Sequence, residues 1–305
     1  MITINKIIII INNCMLTSGM TPMTKQDNNC DSCAQKGSCK DQKDGQECTC
    51  KVDRMAKIKH KIIIASGKGG VGKSTVSVNL ARALQMKGLQ VGILDADITG
   101  PDIPKLLGIE EAQLKQGTQG IEPAKADGIM VASMALILSS RETPVVWRGP
   151  MKMAAIKQFI QDVNWGELDF LLIDLPPGTS DEPLSVVQLI PELAGAIIVT
   201  TPQEVALLDS RKAVNMVKAM KIPVLGIVEN MSGLICPHCN EGISIFGAGG
   251  GRRMAEEMDV PFLGAIPIDP GVCALGDRGQ TFVQSGTNAG GSFNKIVERL
   301  LEMFR

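Results

Sequence analysis

From Ala56 onward the chain alternates short apolar runs with stretches of helical periodicity. The runs are "KIIIAS" from 61, "QVGILDAD" from 90, "GIMVASM" from 128, "FLLIDLP" from 170, "GAIIVTTP" from 195, "VLGIVENM" from 224 and "FLGAIPI" from 262. They are nearly continuous in apolar residues and are bounded by Gly, Pro and Asp, which predicts strands buried on both faces in a mostly parallel sheet. Between the first two, Val76, Leu80, Ala83 and Leu84 recur at i, i+4, i+7 and i+8 and predict a helix packing one face onto that sheet. The final stretch "SFNKIVERLLEMFR" carries Phe293, Ile296, Val297, Leu300, Leu301 and Phe304 on one stripe. Its polar face mixes Lys295 and Arg299 with Glu298 and Glu302, so a last helix packing on the sheet is favoured over a membrane-surface helix, which would be more strongly basic. The fold class is therefore α/β, doubly wound, without internal repeats.

Before residue 56 this pattern breaks. The stretch from Thr24 to about Met55 is polar and too poor in large apolar residues to bury a core of its own, so residues 23–55 read as an arm ordered only around a metal. Residues 1–22 begin "MITINKIIIIINN", where eleven of the thirteen residues are Ile, Asn or Lys, the residues AT-rich DNA encodes. This is read as a start placed too early, with "MTKQDNNCDSC" as the natural beginning. The five isoleucines Ile7 to Ile11 are too short a run for a signal peptide or a membrane span. Residues 56–305 form the main domain.

Composition narrows the function classes. A formal charge of -1, 3% aromatic residues and no tyrosine argue against a nucleic-acid surface. Six of nine cysteines, Cys14, Cys30, Cys33, Cys39, Cys48 and Cys50, lie in the first fifty residues, an uneven spread that points to metal-binding thiolates in a reducing cytosol rather than to disulfides.

The clearest chemistry is "SGKGGVGKST". Gly67, Gly72, Lys73 and Ser74 satisfy G-x-x-x-x-G-K-[ST] between a predicted strand and a predicted helix. Backbone N–H groups of Gly67, Gly69, Gly70, Val71, Gly72 and Thr75 would curl around phosphate oxygens, Lys73 would neutralise the β and γ phosphates, and the Ser74 hydroxyl would ligate Mg2+. Asp174 ends the strand in "FLLIDLPPGTSDE", where a Walker B carboxylate holds the magnesium ion through water. Asp95 and Asp97 stand at another strand end in "ILDADITGPDIP", and Asn230 at a third in "VENMSG". A strand-end aspartate also caps the helix that follows, and an asparagine there also suits a turn, so both readings stay open for these three.

Lys68, a second lysine at the start of the loop, suits a nucleotide bound by a second subunit. With it, "KGGVGKST" resembles the deviant Walker A family, which includes the nitrogenase iron protein, the Min and Par positioning ATPases and the Mrp/ApbC iron-sulfur carriers. That resemblance implies a SIMIBI-type P-loop NTPase fold and a homodimer enclosing two ATP molecules. It also implies Lys73 acting in cis, Lys68 in trans, Asp97 orienting the attacking water and Asn230 reading the adenine.

"CPHC" separates the branches. Cys236 and Cys239 at C-x-x-C spacing supply two ligands where a closed site or a four-iron cluster needs four, so two subunits would each give half. Zinc and a redox dithiol are the competing readings; His238 is expected to face solvent, and Cys273 in "PGVCALGD" is read as a buried or incidental thiol. The order "GKGGVGKST", "DADITGPDIP", "VVWRGPM", "LLIDLPPGTSDE", "TTPQEVALLDSRKA", "ENMSG", "CPHC", "IPIDP" resembles the Mrp/ApbC iron-sulfur carriers. It implies a cytoplasmic, slow ATPase that binds a [4Fe-4S] cluster between two subunits and passes it from a cluster donor to apo iron-sulfur proteins, with no membrane or nucleic-acid partner. Arg148 in "VVWRGPM" is left without a role. In the arm, Cys30, Cys33 and Cys39 match the C-x2-C-x5-C core of a branch with a second, N-terminal cluster; Cys14, Cys48 or Cys50 would complete it. The rivals are a positioning ATPase at a membrane or DNA, and an electron-donating reductase, whose cluster ligands lie farther apart in sequence than C-x-x-C.

Overall fold

The computed structural model describes residues 53–137, 147, 149–236, 238–239 and 241–305. The elements run β1 (Ile58–Ser66), α1 (Lys73–Met86), β2 (Val91–Asp95), α2 (Ile103–Leu106), β3 (Lys115–Gly117), β4 (Gly120–Glu122), β5 (Ala124–Ala126), β6 (Ile129–Ala132), α3 (Gly149–Asp162), β7 (Leu168–Asp174), α4 (Asp181–Leu189), β8 (Leu193–Thr200), α5 (Glu204–Ala219), β9 (Val224–Glu229), β10 (Leu234–Ile235), β11 (Gly242–Ile243), α6 (Gly250–Glu257), β12 (Phe262–Ala265), α7 (Pro270–Asp277) and α8 (Asn288–Glu302). Residues from Arg54 to the end form one compact unit.

Eight strands make the main sheet in the order β12-β9-β8-β1-β7-β2-β6-β5, parallel throughout except for the β5/β6 pair. Each predicted apolar run became one of its strands. The pleat divides β1 between two cores: Ile62 and Ile64 pack with α1 and α8, while Ile63 and Ala65 pack with α3, α4, α5 and α6. Fully burying an aliphatic side chain of this kind contributes roughly 1.5–3 kcal/mol. The helix face expected from Val76, Leu80, Ala83 and Leu84 is buried, as are Phe293, Ile296, Val297 and Leu300 of α8. The apolar stripe of the last helix is thus core and not a free membrane face. Among the described residues no helix is long and apolar enough to cross a membrane.

The short antiparallel pieces, β3/β4, β10/β11 and the edge strand β5, have no counterpart in the sequence pattern. Two to four residues hold too little of a period to register. The parallel arrangement brings the C-terminal ends of β1, β2, β7 and β9 to one edge of the sheet, where ligands bind in doubly wound folds.

Candidate functional site

The loop between β1 and α1 is shaped by two close approaches. A Cβ on Gly67 would lie 2.2 Å from the carbonyl carbon of Asp209, because the backbone of α5 rests against the loop. Gly72, at φ +84°, is the residue from which α1 starts, and a Cβ there would lie 2.2 Å from Asn230 Nδ2. No side chain caps α1, so its first-turn N–H groups are open to an anion.

Behind the loop lies a closed polar network. Lys73 Nζ is 2.6 Å from Asp174 Oδ2, Ser74 Oγ donates to the same oxygen at 2.7 Å, and Ser77 Oγ donates to Oδ1 at 2.6 Å. Asp174 is 0% exposed and the Lys73 side chain 7%. Sequence reasoning missed Ser77, although its position one helical turn after Lys73 could have flagged it. The pairing of β2 with β7 sets Asp95 beside Asp174. Burial, and then the Asp174 charge, hold the Asp95 carboxyl well above the ordinary carboxylate range, while Ser133 Oγ donates to it at 2.9 Å. Asp97 is half-buried, and burial raises its carboxyl as well. Its Oδ1 accepts from the N–H groups of Thr99 and Gly100 at 3.2 and 3.1 Å. The Ser74 hydroxyl and the Asp174 carboxylate, hard oxygen donors converging at the start of α1, fit a magnesium ion.

The loop opens on a cleft of about 630 Å³ lined by residues 68–75, Asp97, Asn230, Met231, Phe246, residues 266–269 and Cys273 among others. Lys68 is half-buried on this lining and makes no ion pair with a described residue. The Asn230 amide donates to the Val71 carbonyl at 2.9 Å and so braces the loop. Of the expectation that Cys273 is a buried or incidental thiol, the buried half is corrected: it is exposed and lines the cleft from α7, a short helix that buries none of its residues.

Cys236 and Cys239 stand at the turn of the β10/β11 ribbon, Cys236 half-buried and Cys239 exposed. His238 faces solvent as expected. Hydrogen bonds from the Cys239 and His238 N–H groups, and then from the Cys239 thiol, hold the Cys236 thiol below its ordinary range, which favours the thiolate that ligates metals. Among the described residues no group of three or more His, Cys, Asp or Glu side chains converges on one point. Ile235, Ile243, Ile245 and Phe246 are exposed along the same segment.

Glu229, which sequence reasoning also missed, anchors the segment at its root. It is 0% exposed and accepts from Ser232 Oγ at 2.5 Å, from Gly249 N at 2.8 Å and from Gly251 N. The carboxylate thereby ties both ends of the loop carrying the cysteines to the start of α6, where a negative charge is favoured. Cys14, Cys30, Cys33, Cys39, Cys48, Cys50 and Arg148 lie outside the described residues.

Residues 57–301 match the family model described as "ParA: NUBPL iron-transfer P-loop NTPase". The iron-sulfur cluster carrier protein of Methanocaldococcus jannaschii is 52% identical over 92% of this chain and 98% of its own length. The cytosolic Fe-S cluster assembly factor CFD1 of Saccharomyces cerevisiae is 49% identical over 71% of this chain and 76% of its own. Among solved structures, a nucleotide-binding protein from Archaeoglobus fulgidus in complex with ADP superposes with a TM-score of 0.68 at 40% identity, covering 79% of this chain and 93% of that one. The cell division ATPase MinD of Pyrococcus furiosus does so with a TM-score of 0.58 at 25% identity, over 80% and 99%. A phosphate loop, a buried carboxylate behind it and a C-x-x-C ribbon on one parallel sheet agree with that match: the chain belongs to the ParA/NUBPL iron-transfer P-loop NTPase family.

Proposed function

We propose that this chain hydrolyses ATP slowly and carries a [4Fe-4S] cluster, bound between two copies of itself, from a cluster donor to apo iron-sulfur proteins of the cytosol. The observation that carries this reading is the C-x-x-C ribbon itself. It holds two thiols, one of them poised toward the thiolate, and no third ligand among the described residues, on a domain with a complete phosphate loop. Half a ligand set calls for a second half, and a twofold pair of identical chains supplies it. The names of the relatives agree with such a cargo.

The phosphate chemistry follows from the same residues. A nucleotide entering the cleft takes the loop N–H groups on its phosphates and draws the Lys73 ammonium away from Asp174. Lys68 of a second copy would add positive charge to the same phosphates. Asp97, with one oxygen fixed by Thr99 and Gly100, keeps the other for the water that attacks the γ phosphorus as the bond to the β-γ bridging oxygen breaks, releasing ADP and phosphate. Ser74 and Asp174 would hold Mg2+, which would offset the negative charge of the phosphates. ATP couples to transfer to the extent that it binds the two arrangements of the dimer with different affinity. The arm cysteines Cys30, Cys33 and Cys39 would hold a second metal centre.

The test is iron, sulfide and zinc content, with the visible spectrum, of the anaerobically purified chain and of its Cys236→Ala/Cys239→Ala variant. The reading expects the variant to lose about four irons per dimer. Equal iron in both proteins, or zinc in place of iron, overturns it.

A further inference from the structure

The strand β12 is followed by residues 266–269, "IPID", before α7 begins. One side of Pro267, Ile268 and Asp269 lines the nucleotide cleft. The same three residues also line a second cleft, of about 330 Å³, whose other walls include Leu234, Ile235 and Cys236. A single layer of backbone thus separates the phosphate-loop cleft from the cysteine ribbon.

That layer is laced to the ribbon. Ser232 N donates to the Ile266 carbonyl at 2.9 Å, and Ile268 N donates to the Gly233 carbonyl at 2.7 Å. A parallel bridge pairs Leu234 with Ile268. Cys236 lies two residues beyond that bridge. Pro267 and Pro270 fix φ at two points, so the layer is stiff. Its far end is pinned where Asp269 Oδ1 accepts from Gly271 N at 2.9 Å and caps α7, the helix that carries Val272 and Cys273 along the nucleotide cleft.

We infer that residues 266–269 are the strap through which nucleotide occupancy sets the position of Cys236 within one chain, with Asp269 as the positioning residue at its pinned end. The inference rests on the nucleotide reading above and goes beyond it, because the proposed dimer needs no such connection. A ligand filling the first cleft presses on the shared wall, and the hydrogen bonds to Ser232 and Gly233 pass the displacement to β10. The second cleft narrows and Cys236 becomes less accessible. By linkage, whatever Cys236 holds alters nucleotide affinity by the same factor.

Two thiols make this testable without the cargo, since Cys273 reports the nucleotide cleft and Cys236 the ribbon. The full-length, reduced, metal-free chain is alkylated with iodoacetamide, with and without the magnesium complex of a non-hydrolysable ATP analogue. Rates are read peptide by peptide by mass spectrometry over a range of protein concentrations. The expected result is protection of Cys273 together with a slowing of Cys236 by about threefold or more at every concentration. In Asp269→Ala, analogue raised until Cys273 is again protected should leave the Cys236 rate unresponsive. Asp269→Asn, which keeps a capping oxygen, should restore the response.

Protection of Cys273 with an unchanged Cys236 rate in the unaltered chain overturns the strap while leaving nucleotide binding intact. Slowing that grows with protein concentration also overturns it, since that marks burial between copies. Failure of the analogue to protect Cys273 overturns the nucleotide reading and the strap together.

Discussion

The phosphate loop and the cysteine ribbon lie on opposite sides of one strap, yet they are built to different standards. At the loop, one buried carboxylate takes three donors from a single helix, so both of its oxygens are partnered inside one chain. At the ribbon, two two-residue strands hold two accessible thiols among exposed Ile235, Ile243, Ile245 and Phe246. The first arrangement is preorganised and bears on stability. The second has only two ligands among the described residues, with open apolar surface of the kind that marks a contact site. The carboxylate network behind the phosphate loop is internal to the fold, whereas the thiols stand at its rim.

If that division holds, substitutions at the loop should unsettle the fold far more than those at the ribbon. Lys73→Ala leaves Asp174 buried without its counter-charge and should cost about 3 kcal/mol in urea unfolding of the nucleotide-free chain, the low end of the usual range because Ser74 and Ser77 still donate. A variant as stable as the unaltered chain would erase the distinction. Glu229→Ala, at the root of the ribbon, orphans two N–H groups and a hydroxyl and should cost about 2 kcal/mol. Hydrogen exchange should then quicken at residues 231–251 while α1 keeps its protection.

A finer test is pH. Burial, and then the Asp174 charge, hold the Asp95 carboxyl well above its ordinary 3.8, so above that value Asp95 keeps its proton in the folded chain where the unfolded one loses it. The contribution of Asp95 to stability therefore falls as pH rises from about 4 until Asp95 has ionised in the folded state. Asp95→Asn should flatten that slope in urea titrations at pH 4, 5.5 and 7. An unchanged slope would mean that Asp95 is not the group responsible.

What could be read in the sequence were the features written locally. The strand runs, the face of α1 and the loop with Lys73 and Ser74 depend on spacing within one element, and Asp174 on a strand end. The spacing of Ser77 from Lys73 puts both on one side of α1, but that they meet Asp174 depends on β7 lying beside β1, which is not written locally. Glu229 looks in sequence like one more polar residue closing a strand, and its meaning arises from Gly249 and Gly251, some twenty residues away. The exposure of Cys273 was hidden for the same reason, since nothing in "PGVCALGD" says which side of α7 a neighbouring loop will leave open.

The smallest expected effect is at the cysteines. Cys236 is half-buried, Cys239 is exposed, and neither thiol packs into either hydrophobic core. The unfolding free energy of the metal-free chain should therefore change by less than about 0.5 kcal/mol in Cys236→Ser/Cys239→Ser, as for other surface replacements. Nucleotide affinity should be equally indifferent in the metal-free state, because serine preserves the ribbon backbone through which the strap acts. A large loss of stability in the absence of metal would show that the thiols support the fold. The ribbon would then be a structural knuckle rather than a handhold for cargo, even if the same variant also lost its iron.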